Sequence, residues 1–301
     1  MRPVVYRRFF SFILKSSPRL HFSTATASTS TVDEAEISRF AALADSWWNE
    51  DGPMKALRSM NRLRVPWIRD TLLQVRRQSG REVSSSSFSL DGLRILDVGC
   101  GAGFLTEPLA RLGANVVGID PTVENVEVAK EHASRWKDEL GYGTRLVYYS
   151  KTVEDLIEES KGTFFDAVVA SEVLEHVTNR DSFVENCLRL VKPGGGSVFF
   201  TTINRTMASR FLAIFMAENI LRIVPQGMHE WEKFIPLEDL QFLVEKNGDC
   251  NVRLVHGMRY NPVTNQWYWT KNTSVNYVLC ELLCLEVVTS AILRKYFLFC
   301  H

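Results

Sequence analysis

No CxxC pair occurs in these 301 residues, and the six cysteines (Cys100, Cys187, Cys250, Cys280, Cys284, Cys300) are scattered. A chain of this size has no need of disulfide staples, so a reducing compartment fits. Cys280 and Cys284 could share one helical face, but no Cys/His cluster stands beside them to complete a metal site. Uninterrupted apolar runs are missing too. Met207–Val224 is broken by Arg210, Glu218 and Arg222, and Val278–Cys300 by Glu281, Glu286, Arg294 and Lys295. Such charges are costly in a hydrocarbon core, which argues against a span and leaves peripheral contact open. There is no excess of charge either: 35 Lys and Arg meet 35 Asp and Glu. Arg2, Arg7, Arg8, Lys15 and Arg19 precede residue 32 and no acid does, so the rest of the chain is net acidic. A chain of that sign is a poor general binder of phosphate backbones, and no nucleic-acid partner is expected.

What is present is a globular mixture, 46% hydrophobic and 23% charged, long enough for one large domain or two small ones. Residues 1–31 form an acid-free start. Basic residues alternate with Phe9, Phe10, Phe12, Ile13 and Leu14 before a Ser/Thr/Ala tract. That composition fits a mitochondrial transit peptide; a chloroplast transit peptide and a plain disordered tail share it.

The next part, 32–90, reads as a helical N-terminal cap and connector. Ile37, Phe40, Leu43, Ala44 and Trp47 recur at steps of three and four over 32–48. A Gly-Pro break at 52–53 follows. A second helix is expected within Met60–Arg77, starting near Pro66, since proline suits a first turn. Gly80–Ser89 is a serine-rich connector.

From Leu93 short apolar strands alternate with helices. Strands are expected at 93–98, 116–119, 145–149, 165–170 and 197–202, with helices between them. That alternation predicts a doubly wound α/β sheet. An antiparallel pair drawn from 252–255 and 267–269 or 275–279 would close it.

Asp97-Val98-Gly99-Cys100-Gly101-Ala102-Gly103 falls where the first strand turns into its helix. Glycines there let a ligand approach backbone where Cβ atoms would collide. Asp120 ends the second strand, where a carboxylate can accept both hydroxyls of a ribose. A dinucleotide loop needs a third glycine where this chain has Phe104, and Asp97 would repel a pyrophosphate. An acid at that point suits a ligand carrying ammonium and sulfonium groups, such as S-adenosylmethionine. Lys192-Pro193-Gly194-Gly195-Gly196 and Phe164-Phe165-Asp166, in order with the glycine loop, mark a methyltransferase-like domain.

Ser171-Glu172-Val173-Leu174-Glu175-His176 follows the fourth strand, at the end of the sheet where open α/β folds bind ligands. Continued as a helical turn, it would set Glu172, Glu175 and His176 on one face. Two carboxylates and an imidazole are credible ligands for a hard divalent cation; helix capping and a hydrogen-bonded histidine are the plainer reading. For a catechol substrate, His176 or a cation there would raise the phenolate population of a hydroxyl whose pKa is about 10. His229 reads as a solvated loop residue, His132 as a helix-surface residue, and His256 has no evident partner.

The whole pattern resembles the ubiquinone-biosynthesis O-methyltransferases. It rests on SWWNEDGPM (46–54), LDVGCGAGF (96–104), ASEVLEHV (170–177), LVKPGG (190–195) and TTINRTM (201–207). QGMHEWEKF (226–234), MRYNPVTNQW (258–267) and VNYV (275–278) complete it, so that 32–278 is covered. The resemblance implies a class I S-adenosylmethionine-dependent fold: a doubly wound, seven-stranded, mostly parallel sheet within 91–278. It implies cofactor contacts from Arg64 (to the methionine carboxylate), Gly99, Gly101, Asp120 and Ser171. It assigns Glu172, Glu175 and His176 to catalysis and to a divalent metal, usually Mg²⁺. The implied substrates are 3,4-dihydroxy-5-polyprenylbenzoate and demethylubiquinol. The implied setting is the matrix face of the mitochondrial inner membrane, within a multiprotein biosynthetic complex. The apolar insertion 204–227 would then meet a membrane or a polyprenyl tail, or serve as a helical lid. Arg58 and Arg62 stand where such proteins often have His and Pro. The stretch 279–301 does not match the family, and a membrane hook, a partner helix and an alternative end all fit it.

Overall fold

Runs such as Ile95-Leu96, Val116-Val117 and Val168-Val169 favour extended backbone buried on both faces, which parallel strands require. The computed structural model describes residues 30–80, 89–160, 162, 164–212, 230–247 and 251–282. Residues 1–29, the connector 81–88, insertion residues 213–227, His229 and the tail from 283 lie outside the described residues.

The strands are β1 (Arg94–Val98), β2 (Asn115–Asp120), β3 (Leu146–Ser150), β4 (Ala167–Ser171), β5 (Ser197–Ile203), β6 (Asn251–Asn261), β7 (Gln266–Thr270) and β8 (Asn276–Leu282). They form one sheet in the order β3-β2-β1-β4-β5-β8-β6-β7. The first five are parallel; β8 runs antiparallel between β5 and β6. Strand order reverses around β1, which places a ligand crevice at the carboxyl ends of β1 and β4.

The described residues thus hold one strand more than the expected seven. The extra strand exists because β6 has 11 residues, enough to pair with β8 along most of its length and with β7 over Gly257–Asn261. The expected closing pair is therefore three strands, and β8 extends to Leu282.

The helices are α1 (Glu34–Ala41), α2 (Lys55–Gln78), α3 (Thr106–Arg111), α4 (Val123–Arg135), α5 (Lys137–Leu140), α6 (Val153–Ser160), α7 (Arg180–Leu190), α8 (Met207–Ser209) and α9 (Leu237–Asn247). Alternate strand residues point to opposite faces, so two cores form. Ile95, Val116, Val169 and Phe199 pack under α2, α3 and α4. Leu96, Val168, Val198 and Phe200 pack under α6, α7 and α9.

Pro66 does not start a helix: α2 begins at Lys55 and carries the proline in its interior. The ring removes one backbone donor, yet Met60, Trp67, Ile68, Leu72 and Val75 bury a continuous stripe that holds the helix on the sheet. Trp67 meets Phe199 edge-to-face at 5.1 Å. The expected 32–48 helix is shorter, α1 followed by a tight turn at Ala44–Ser46. Asp33 caps α1 by accepting the Ala35 N–H at 2.9 Å.

Candidate active site

The glycine loop leaves β1 with Gly99 at φ +70 and Gly101 at φ +51, in the left-handed region that only glycine enters without strain. A Cβ on Gly99 would sit 2.5 Å from Val173 Cγ2, and one on Gly101 2.4 Å from a ring carbon of Trp47. Backbone, cap and the segment after β4 are therefore packed together around the crevice.

Two buried carboxylates flank the loop. Asp97 accepts the Thr106 hydroxyl at 2.6 Å, and burial pushes its pKa up to about 6. Such a group is relieved by an arriving cation. Asp120 accepts the Gly101 N–H and the Thr122 N–H, each at 2.9 Å, and burial raises its pKa. Those two donors fix the carboxylate's orientation at the end of β2.

Arg64 enters from α2 and is buried. Its guanidinium donates to Ser171 Oγ at 2.7 Å, Asn61 Oδ1 at 2.7 Å and the Leu57 carbonyl at 3.1 Å. Burial lowers its pKa to about 10, opposed by Glu172 and Asp97. The arginine and serine expected to share the cofactor do meet, across 107 residues of sequence.

The segment after β4 departs from the expected helical turn. Glu172 has φ +59, and the turn that follows is a short 3-10 segment, Leu174–His176. Glu172 Oε1 accepts from Thr201 at 2.6 Å, whereas Glu175 Oε2 accepts from Thr202 at 2.7 Å. Thr201 and Thr202 are successive residues of β5, so the two carboxylates have separate hydrogen-bond partners. His176 turns its Nδ1 to Glu36 Oε2 at 3.1 Å. Among the described residues no three His, Cys, Asp or Glu groups form a metal-holding cluster. Glu172, Glu175 and His176 all line the same cavity, and each is held by a different partner. The Glu172 pKa is nonetheless raised, by burial and by the nearby Glu175.

The cap and the Trp231–Lys233 turn supply residues that spacing did not reveal. Lys233 donates to Glu36 Oε1 at 3.0 Å and to Asp33 Oδ2 at 3.1 Å. Burial alone would raise the Glu36 pKa, but hydrogen bonds from His176 and Lys233 pull it down to about 2. Burial would lower that of His176, but Glu36 and Glu175 raise it above the ordinary 6.5. Trp48 stacks on His132 at 3.5 Å with 2° between the planes and donates to the Ala102 carbonyl at 3.1 Å. His132, on α4 as expected and half-buried, also meets Glu107 Oε1 at 2.7 Å, so it latches the cap to the body of the domain. His256 lies beside Trp269, ring centroids 5.8 Å apart.

One cavity of about 800 Å³ joins these parts. It runs from Asp97, Gly99 and Asp120 past Ser171 and His176 to an apolar wall that includes Phe40, Met258 and Trp267. A parallel α/β sheet, an acid-flanked glycine loop and a carboxylate at the end of β2 define a class I S-adenosylmethionine-dependent methyltransferase. The family model described as a methyltransferase domain matches residues 96–199. The chain is 46% identical over 275 residues to the mitochondrial ubiquinone biosynthesis O-methyltransferase of Rattus norvegicus, covering 90% of this chain and 76% of that protein. Its identity to the Homo sapiens protein of the same description is also 46%, over 90% of this chain and 71% of that one. With the ubiquinone biosynthesis O-methyltransferase of Rhizobium etli it is 41%, over 83% and 95%. The chain belongs to the ubiquinone biosynthesis O-methyltransferase family.

Proposed function

We propose that this enzyme transfers the methyl group of S-adenosylmethionine to a ring hydroxyl of 3,4-dihydroxy-5-polyprenylbenzoate and of demethylubiquinol. The observation that carries this reading is the cavity in which the cofactor loop, His176 and an apolar wall meet. Asp97 receives the ammonium end of the cofactor, Asp120 its ribose and Arg64 its carboxylate, each by charge or hydrogen-bond complementarity.

A catechol hydroxyl has a pKa of about 10 and is a weak nucleophile while protonated. Glu36 accepts from Nδ1 of His176, which assigns the ring proton to that nitrogen and leaves Nε2 as the proton acceptor. His176 takes the hydroxyl proton as the oxygen attacks the methyl carbon in line. The new O–C bond forms while the S–C bond breaks, its electron pair returning to sulfur to give S-adenosylhomocysteine. Alignment and exclusion of water supply the remainder.

If Mg²⁺ binds here, Glu172, Glu175 and His176 would be the residues to hold it, and it would supply Lewis acidity toward the phenolate oxygen; two carboxylates and an imidazole suit a divalent cation. Base and ligand are alternative roles for His176, and chelation separates them.

The rat and human relatives are named mitochondrial, and residues 1–31 have the composition of a transit peptide. We place the enzyme in the mitochondrion, peripherally on the matrix face of the inner membrane and within a biosynthetic complex. No helix among the described residues is long and apolar enough to cross a membrane. Exposed Met207, Phe211 and Leu212 beside Arg205 and Arg210 support surface docking of that kind.

The test is methyl transfer from labelled S-adenosylmethionine to a short-chain prenyl dihydroxybenzoate and to the same catechol without its tail, with and without Mg²⁺. Preferred turnover of the prenylated compound is expected. Equal turnover of both points to another phenolic substrate, and cofactor binding without transfer points to a scaffold subunit.

A further inference from the structure

The substrate proposed above brings a carboxylate into a cavity already crowded with negative charge. Asp33, Glu36, Asp97, Asp120, Glu172 and Glu175 all line it. Among the described residues, two arginines line the same cavity, Arg64 and Arg259. Arg64 is buried, and its donors are committed to Asn61, Leu57 and Ser171. Arg259 is exposed and has no ion pair or hydrogen bond from its side chain to any of the described residues. An anionic substrate entering between six carboxylates needs a cation that is not already engaged.

Topology puts Arg259 at the right end of the molecule. β8 is antiparallel to β5 and β6 is antiparallel to β8, so β6 runs in the direction of the parallel strands. Its Met258 pairs with Asn276, which in turn pairs with Ile203 at the carboxyl end of β5. Arg259 is the next residue, at the end of the sheet where the cofactor loop opens. The hairpin that carries it is anchored: Trp267 Nε1 donates to the Ala56 carbonyl at 2.9 Å, and Tyr260 donates to Asn265 Oδ1 at 3.0 Å. The backbone bearing the guanidinium is thus fixed, and the residue itself is exposed.

We infer that Arg259 recognises the ring carboxylate of the benzoate substrate and so favours that substrate over catechols and quinols that lack one. A guanidinium offers paired N–H donors matched to a carboxylate, at a position where solvent and salt still reach the pair. This inference rests on the proposed function.

The experiment compares a short-chain prenyl 3,4-dihydroxybenzoate with the same prenyl catechol lacking the carboxyl group, in the full chain and in Arg259→Gln and Arg259→Lys. The wild type is expected to show the lower KM for the acid, an advantage that shrinks as salt is raised. Arg259→Gln should raise the KM for the acid by about tenfold or more. It should leave KM for the catechol, KM for S-adenosylmethionine and the melting temperature unchanged, and Arg259→Lys should recover part of the loss. An unchanged KM for the acid in Arg259→Gln overturns the inference while leaving the methyltransferase reading intact. So does an equal rise for both compounds, or a rise in KM for S-adenosylmethionine alone. Failure of the wild type to methylate either compound rejects the proposed function, and the inference with it.

Discussion

Glu36 in α1 and His176, 140 residues further along the chain, are joined by a 3.1 Å contact between Oε2 and Nδ1. Phe40, one helical turn beyond Glu36, meets the His176 ring edge-on at 5.0 Å between centroids. The cap therefore orients the proposed base as well as covering the crevice.

Replacing Glu36 by Gln tests that orientation. A base must be neutral to act, and the His176 pKa is raised above 6.5, chiefly by Glu36 once the opposing effect of burial is overcome. Wild-type methyl transfer should rise with pH through a value above 6.5. In Glu36→Gln the rising limb should move to lower pH and the maximal rate should fall about tenfold, less than the ~10²–10⁴ contributed by a general base itself. An unmoved limb in the pH–rate profile would separate the two residues.

Acid stability follows from the same network. The Glu36 pKa is depressed to about 2, so its share of stability is present above the ordinary 4.5 and is lost as pH falls from there toward 2. Melting temperature should drop across that window, and less steeply in Lys233→Met, where one of the two hydrogen-bond partners is gone. Identical slopes would show that the Lys233 contact is energetically silent.

Gly99→Ala should damage the cofactor loop on two counts, a φ of +70 and a Cβ 2.5 Å from Val173 Cγ2. Each is worth roughly 1–3 kcal/mol. Calorimetry should show S-adenosylhomocysteine bound at least ~10-fold more weakly. Adding Val173→Ala should restore only part, because the backbone strain remains. Full restoration would mean that crowding alone set the requirement for glycine.

Metal dependence gives a fourth outcome. Removing divalent cations with a chelator should reduce methyl transfer, Mg²⁺ should restore it, and Glu175→Gln should abolish the restoration. Thr202→Val frees the Glu175 carboxylate from its present partner and should lower the Mg²⁺ concentration needed. Equal rates with and without metal would leave His176 as a base and exclude it as a ligand.

Trp48→Ala removes the stack on His132, the bond to the Ala102 carbonyl and the edge contact with Phe104 at 4.8 Å. Truncation of a packed aromatic at such a site should cost about 2–3 kcal/mol in urea denaturation. A cost near zero would mean that the cap is held elsewhere.

Much of the fold was legible because its signals are local. Short apolar strands between amphipathic helices give the α/β alternation, and β1 to β5 each fall within about two residues of the expected ranges. Pro66 misled, since a local rule about first turns yielded to a buried stripe reaching from Met60 to Val75. The closing strands misled by one, since how many partners a long β6 takes depends on chain that returns from elsewhere.

The sequence by itself determined the class of chemistry. Asp97, Gly99, Gly101 and Asp120 are close together in the chain or set by one strand–helix–strand unit, so their spacing specifies a cofactor cradle. Only the family resemblance assigns Arg64 and Ser171 to the cofactor; with 107 residues between them, no spacing signals that they meet. Tertiary structure alone decided the rest: that Thr201 and Thr202 hold Glu172 and Glu175, that Glu36, itself bound by Lys233, holds His176, and that Arg259 lines the cavity. Such partners lie tens to hundreds of residues apart, and only the order of strands in the sheet brings them within a hydrogen bond's length.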